Sequence, residues 1–337
     1  MLLLLEKKMK MQFIRWIPSV SLALVFAMSS GCAPDKPADK STPAAPSAGP
    51  TTQSKGTIGV SLLTLANPFF KVMGDAMKAE AEKGGYQVII TAGEMDPARQ
   101  KDQVKDFIVK KVSAIVLCPC DSRSIGTTIQ EANKAGIPVF TADIASLDKT
   151  ATVVSHVATD NYAGGKLAGK AMIDALKGRG NVAIIDHPEV ESVMLRTKGF
   201  REVVAGARGI KIVADLPGGA ARDSAYKTAQ DILEKNRDLA GIFCINDPTA
   251  YGAIAAIEKA GRQGKIKIIS FDGQPEAKQA VKDGKITAEP IQYPDKIGQI
   301  TVQTIEKYMA GEKPVPVILI PPTLYTKAEA DKDGSLK

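Results

Sequence analysis

The chain has 337 residues, 44% of them hydrophobic, with 29 glycines, 20 prolines and 4 cysteines. This composition is that of an ordinary globular protein long enough for two domains, and it excludes collagen-like, disulfide-knotted and wholly disordered chains. The formal net charge is +7. Part of that charge is concentrated near the N-terminus, and the remainder is too dilute to follow a phosphate backbone, so we expect no nucleic-acid partner.

Residues 1–31 have the pattern of an export signal. Basic residues extend as far as Arg15, an apolar segment covers residues 16–28, and small residues at 29–31 precede Cys32. The apolar segment is short for a permanent membrane helix. Small residues followed directly by cysteine resemble a bacterial lipoprotein signal, which predicts that Cys32 is the lipidated first residue of the mature chain. An ordinary signal peptide with an incidental cysteine is the alternative.

Residues 32–55 are rich in proline, alanine, serine and threonine. Such a segment cannot bury enough apolar surface to fold, and it should act as a flexible, semi-extended linker. A lipid on Cys32, a linker and a following domain describe an exported protein anchored to a membrane in the periplasm or at the cell surface.

From residue 56 onward, short β-rich runs alternate with helix-length stretches. The first run is Thr57 to Leu63, a central one is Val153 to Val157, and a late one is Val317 to Ile320. A helix over Pro68 to Lys83 is predicted because Asn67 can cap it and proline suits a first turn. This alternation predicts an α/β fold with parallel sheets wound by helices on both faces.

A weak internal repeat predicts two such lobes. The segment from Ala114 to Asp143 and the segment from Gly241 to Asp272 share the order strand, helix, strand, acidic residue. Each aspartate follows the carboxyl end of a strand, where open parallel sheets hold their ligands. We therefore expect Asp143 and Asp272 to face each other across a cleft between the lobes.

Polar and aromatic side chains at these strand ends and helix starts favour a carbohydrate site. Polar groups can clamp adjacent hydroxyls in pairs, and an aromatic ring can cover one face of a sugar. The candidates are Asp143, Arg196, Asn246, Asp272 and Gln292 with Phe69 and Phe70.

These residues also have plain structural interpretations. An aspartate after a strand is more often a turn former or a helix cap, and Asp247 before Pro248 is predicted to cap the next helix. Because Phe69 and Phe70 are adjacent on a helix, we expect one ring in the core and the other in the cleft. Arg196 alone would be a solvated helix charge.

Five segments carry a family resemblance: TLANPFF at 64–70, VVSHVATDN at 153–161, ND at 246–247, FDG at 271–273 and QYPDKIG at 292–298. They resemble the ribose-binding-like group of periplasmic sugar-binding proteins of ABC transporters, which are type I periplasmic binding proteins. They occur in the family's order, and the resemblance covers essentially all of residues 57–325.

The resemblance implies two doubly wound parallel-sheet lobes joined by a three-segment hinge near Thr159, Tyr293 and Pro321. The N-terminal lobe would comprise residues 56–159 plus 293–320, and the C-terminal lobe residues 160–292 plus 321–337. Such a protein is a monomer without a cofactor that closes on a monosaccharide or polyol and presents it to a membrane permease.

Carried over by position, the resemblance also implies a set of ligand-contacting residues. They are Asn67, Phe69, Phe70, Cys118, Asp143, Arg196, Asn246, Asp272 and Gln292.

Three positions depart from the ribose binders. Cys118 stands in place of Asn, Ile144 in place of Arg, and Ala220 in place of an aromatic residue. The absence of those donors is unfavourable for ribose, since an unmatched hydroxyl in a dry cleft costs about 1–3 kcal/mol. We expect a bulkier or less polar ligand, or replacement contacts from neighbouring loops. The loop residues that could supply them are His187, Glu189, Glu191 and Tyr251.

Other functions have weaker support. Cys118, Cys120 and Cys244 could form a thiol or metal site, but their spacing is not a standard zinc pattern, and buried free cysteines are common. No dinucleotide fingerprint, phosphate loop or nucleophile elbow is present, so we expect no enzyme. A binding protein that docks to a chemoreceptor or sensor kinase is the remaining alternative to transport.

Overall fold

The computed structural model describes residues 54–337; the predicted signal, most of the linker and Cys32 lie outside the described residues. The described part is built around two sheets covered by helices. The strands are β1 (Thr57–Leu62), β2 (Gln87–Ala92), β3 (Ala114–Leu117), β4 (Val139–Ala142), β5 (His156–Thr159), β6 (Arg179–Asp186), β7 (Gly209–Pro217), β8 (Leu239–Cys244), β9 (Lys267–Ile269), β10 (Ala288–Ile291), β11 (Val317–Ile320) and β12 (Thr323–Thr326). The helices are α1 (Pro68–Lys83), α2 (Pro97–Val109), α3 (Ile125–Lys134), α4 (Asn161–Ala175), α5 (Glu191–Ala205), α6 (Arg222–Lys235), α7 (Asp247–Lys259), α8 (Pro275–Lys282), α9 (Pro294–Met309) and α10 (Lys327–Ala330).

Each sheet has six strands and forms the centre of one lobe. The first has the order β11-β5-β4-β3-β1-β2, and all its strand pairs are parallel. The second has the order β12-β10-β9-β8-β6-β7 and is parallel except for β12, which runs antiparallel to β10. The central strands β3 and β4 are buried throughout, as expected where helices cover both faces of a parallel sheet. The predicted fold class is confirmed.

The chain passes between the two sheets three times. It leaves the first sheet after β5 and enters α4, returns between β10 and α9, and crosses again between β11 and β12. Thr159 and Tyr293 border the first two crossings, and Pro321 lies in the third. The residue limits given above for the two lobes remain a prediction.

The sequence pattern misplaces the start of one strand and misses another. The central run begins its strand at His156 rather than Val153, because residues from His156 onward pair with both β4 and β11. The antiparallel strand β12 is a finding that the alternation of strands and helices does not predict. Among residues 54–337, no helix combines the length and apolar character needed to cross a membrane.

Candidate functional site

A cavity opens at the carboxyl ends of the strands, with walls from both lobes. Every predicted ligand-contacting residue except Cys118 lines it. Asp143 comes from the first-sheet lobe and Asp272 from the second, so the two aspartates meet at one cavity as expected.

The start of α1 supplies the aromatic wall. Asn67 caps the helix by accepting a hydrogen bond from the backbone N–H of Phe69 at 3.0 Å, and Pro68 occupies the first turn. The rings of Phe69 and Phe70 pack edge to face with centroids 5.2 Å apart. The expectation that only one ring faces the cleft is wrong, because both line the cavity while remaining largely buried.

Arg196 on α5 is held rigidly inside the second-sheet lobe. Its Nε donates to Asn161 Oδ1 at 2.8 Å and its Nη1 to the carbonyl oxygen of Ile245 at 2.7 Å. Its guanidinium also lies 3.9 Å from the centroid of the Phe271 ring. A side chain at Gly165 would collide with the backbone carbonyl of Arg196, so this glycine permits the close approach of α4 to α5. Arg196 is therefore a preorganised buried cation.

Asp272 and Gln292 complete this polar wall. Asp272 Oδ1 accepts from Arg196 Nη1 at 3.1 Å and from Gln292 Nε2 at 2.7 Å. Burial raises the pKa of Asp272, while Arg196, Gln292 and Asn67 oppose that shift. Gln292 Oε1 is buried and has no hydrogen-bond partner in the described part of the chain. This amide oxygen is free to accept a hydrogen bond from a ligand.

Asp143 follows β4 directly and has a left-handed backbone, with φ of 65°. Its side chain is 3% exposed, and its Oδ1 has no partner among residues 54–337. Burial raises the pKa of Asp143 to about 7, against the opposing charge of Arg196. A buried carboxylate without donors is costly, and hydroxyl groups of a ligand would satisfy it.

Asn246, rather than Asp247, caps α7. Asn246 Oδ1 accepts from the Thr249 N–H at 2.9 Å, so the predicted cap at Asp247 is wrong by one residue. The Asp247 carboxylate instead turns inward and accepts from Ser270 Oγ at 2.9 Å. Asn246 still lines the cavity, and its Nδ2 donates to the Ala220 carbonyl oxygen.

Cys118 is the one predicted contact that lies outside the cavity lining. Its thiol donates to the carbonyl oxygen of Ala142 at 3.0 Å and is 1% exposed, so it fills space behind Asp143. Burial raises the pKa of Cys118 well above its ordinary value, raises that of Cys120 to about 12, and raises that of Cys244. Within the described residues, no group of three His, Cys, Asp or Glu side chains is placed to hold a metal ion.

The two other departures from the ribose binders do face the cavity. Ile144 and Ala220 contribute apolar surface to its wall. His187 lines the same cavity, whereas Glu189, Glu191 and Tyr251 do not. The sequence does not distinguish His187 from Glu189, because no local pattern indicates which way the loop after β6 turns. Glu191 begins α5, and Tyr251 lies within α7 rather than in a loop.

Comparison with known proteins identifies the family. Residues 58–313 match the model of the periplasmic binding protein domain. The chain belongs to this family. The match covers most of the chain and all of β2 to β10, which belong to both sheets, and it confirms the resemblance found in the sequence.

Individual relatives are binding proteins of transport systems rather than enzymes. The chain is 35% identical over 266 residues to the ribose import binding protein RbsB of Salmonella typhimurium, covering 77% of this chain and 87% of the relative. An Actinobacillus succinogenes solute-binding protein with bound D-allose is 30% identical, with a TM-score of 0.77 over 82% of this chain and all of that one. The Caulobacter myo-inositol binding protein with bound myo-inositol is 27% identical, with a TM-score of 0.77 over 83% and 96% of the two chains.

Proposed function

We propose that this protein is an exported solute-binding lipoprotein that captures one neutral sugar or polyol between its lobes, as a monomer, and delivers it to an ABC-transporter permease. The observation that carries the proposal is the cavity itself. Asp143 from one lobe faces the Arg196–Asp272–Gln292 wall of the other, beside the rings of Phe69 and Phe70. Relatives that are 27–35% identical to this chain include a ribose import binding protein and structures with bound D-allose and bound myo-inositol, which are a pentose, a hexose and a cyclitol.

The charges favour a neutral ligand. The cavity has two buried carboxylates, Asp143 and Asp272, for the one guanidinium of Arg196. The unpartnered atoms Asp143 Oδ1 and Gln292 Oε1 are both acceptors, and they require donors from the ligand. Hydroxyl groups supply donors, whereas a carboxylate or phosphate would add negative charge beside two acids. The ligand would contact both lobes only when they are closed, and this differential contact would stabilise the closed state.

A thermal-shift screen of pentoses, hexoses, deoxy sugars, polyols and inositols tests the proposal. A ligand at a thousandfold excess over its Kd stabilises the folded protein by about 4 kcal/mol, so a true ligand should raise the melting temperature well above its isomers. A uronic acid and a sugar phosphate serve as anionic controls and should produce no shift. A selective response to the anionic compounds, or no response to any neutral one, would overturn the proposal.

The anchor and the transport role need separate experiments. Cys32→Ser should release the exported protein from the membrane fraction and abolish its labelling by a radioactive fatty acid. Deletion of the gene should abolish uptake of the radiolabelled ligand at low concentration. Normal uptake combined with lost chemotaxis or lost gene induction by that ligand would favour the sensing alternative.

A further inference from the structure

His187 is a buried polar residue of the cavity that the family resemblance does not assign. It lies directly after β6 and is 8% exposed. Its Nε2 is buried and has no hydrogen-bond partner in residues 54–337. A buried nitrogen left without a partner is costly, so this atom calls for an explanation.

Glu189 determines which ring nitrogen is free. His187 Nδ1 lies 2.8 Å from Glu189 Oε2, a contact in which the ring N–H donates to the carboxylate. A neutral imidazole with its proton on Nδ1 has a lone pair on Nε2 and accepts one hydrogen bond there. Burial lowers the pKa of His187 and so favours this neutral ring, although the charges of Glu189, Asp186 and Asp121 oppose the shift.

The first-sheet lobe fixes the position of the loop that carries His187. Arg123 Nη1 donates to the carbonyl oxygen of Pro188 at 3.0 Å, and the Ser122 N–H donates to that of Glu189 at 3.0 Å. Ser122 Oγ in turn accepts from the Glu191 N–H at 2.9 Å. Because these bonds cross between the lobes, the first-sheet lobe holds the ring at its position in the cavity.

We propose that His187 Nε2 accepts a hydrogen bond from a hydroxyl group of the bound ligand and is a specificity-determining residue. This inference rests on the proposed function and refines its ligand class. Three buried acceptors, Asp143 Oδ1, Gln292 Oε1 and His187 Nε2, would require a compound that offers at least three donating hydroxyls. His187 then supplies a polar interaction in a cavity whose wall is apolar at Ile144 and Ala220.

The test is a cycle in which a side chain and a ligand hydroxyl are removed separately and together. Affinities of the wild type and His187→Leu are measured by titration calorimetry for D-ribose, D-allose, D-fucose and myo-inositol, and then for the monodeoxy analogues of whichever binds. His187→Leu should weaken binding of the parent ligand tenfold or more. One deoxy analogue should lose affinity for the wild type but bind His187→Leu as well as the parent does, because its missing hydroxyl is the partner of the ring.

Two further variants separate contact from folding. His187→Gln places an amide oxygen near the position of Nε2 and should recover part of the affinity. His156→Leu alters the chain's other histidine, which bonds to Thr141 Oγ1 outside the cavity, and should leave affinity unchanged. Equal losses by His187→Leu for the parent and for every deoxy analogue would overturn the assignment. Failure of the wild type to bind any neutral compound of the thermal-shift screen would overturn the proposed function, and the assignment with it.

Discussion

Asn67 and Gln274 hydrogen-bond directly across the cleft, with Gln274 Nε2 donating to Asn67 Oδ1 at 2.7 Å. Asn67 precedes α1 in the first-sheet lobe, and Gln274 precedes α8 in the second. The backbone N–H of Gln274 donates to the buried Asp247 carboxylate at 2.8 Å, which fixes the Gln274 loop within its own lobe. The two lobes are therefore held together partly by a hydrogen bond between two side chains of this chain, which needs no ligand.

Gln274→Ala should shift the unliganded protein towards an open form. A hydrogen bond of this kind is worth about 0.5–1.5 kcal/mol, so the apparent ligand affinity should fall roughly two- to tenfold as the closed state loses population. Small-angle scattering should give a larger radius of gyration, and calorimetry the weaker affinity. Gln279→Ala is the control, because that side chain bonds to Asp283 Oδ1 within α8 and its neighbouring turn. An unchanged radius and affinity in Gln274→Ala would show that the bond does not contribute to closure.

Asp143 links closure to pH. Burial raises its pKa to about 7 from an ordinary value of 3.8, and opening of the cleft would return it towards that ordinary value. The closed unliganded form therefore binds the proton more tightly than the open form. Protonation of Asp143 therefore stabilises the closed form. This stabilisation is complete below about pH 4 and is lost as the pH rises through 7.

The radius of gyration of the unliganded protein should accordingly increase between pH 4 and pH 8. Asp143→Asn removes the ionisable group while keeping the shape, and it should flatten this dependence. Saturating ligand should also flatten it in the wild type, because hydroxyl donors stabilise the carboxylate. The interpretation fails if Asp143→Asn retains the full pH dependence of the wild type.

Much of the site follows from the sequence because it depends on topology. Parallel strands bring their carboxyl ends to one edge, so Asp143 and Asp272 can be placed from strand endings alone. The cap and the first turn at Asn67 and Pro68 likewise follow from local backbone chemistry. Arg196 is different, since one arginine on a helix has no distinguishing pattern, and only the family resemblance indicates it.

The remaining features of the site depend on interactions between residues that are distant in the chain. The position of His187 is set by Ser122 and Arg123, which belong to the other lobe. The resemblance predicts Cys118 as a ligand contact, yet its thiol points to the Ala142 carbonyl on the adjacent strand. A strand ending does not indicate which of its neighbouring side chains faces the cavity and which packs behind it.

A pair of buried acids lies behind the site and does not line the cavity. Asp247 and Glu289 are fully buried in the second-sheet lobe. The Asp247 carboxylate accepts hydrogen bonds from two donors, Ser270 Oγ and the Gln274 N–H. Apart from Asp247 itself, neither oxygen of Glu289 has a hydrogen-bond partner among residues 54–337. Burial raises the pKa of Glu289 well above its ordinary value, and the charge of Asp247 raises it further. Glu289 should therefore be the member of the pair that retains a proton.

Glu289→Gln should stabilise the protein at alkaline pH. A carboxyl with a raised pKa contributes stability that is present at low pH and is lost as the pH rises through the folded-state pKa. The loss is roughly 1.4 kcal/mol for each pH unit that separates the folded-state pKa from the unfolded-state pKa. Glutamine keeps a donor towards Asp247 and cannot ionise. The free energy of unfolding, measured with urea at pH 5, 7 and 9, should therefore differ little between variant and wild type at pH 5 and increasingly favour the variant at pH 9.

Glu258→Gln provides the matched control for this comparison. Glu258 pairs with Lys285 Nζ at 3.1 Å on the surface of the same lobe, where an ion pair contributes little and both groups remain solvated. Its removal should leave the dependence of unfolding free energy on pH as in the wild type. If Glu289→Gln also retains that dependence, then Glu289 is accommodated as an ion and the second-sheet lobe supplies a donor to it. If Glu289→Gln loses the dependence, the buried acid pair limits the stability of this lobe at alkaline pH.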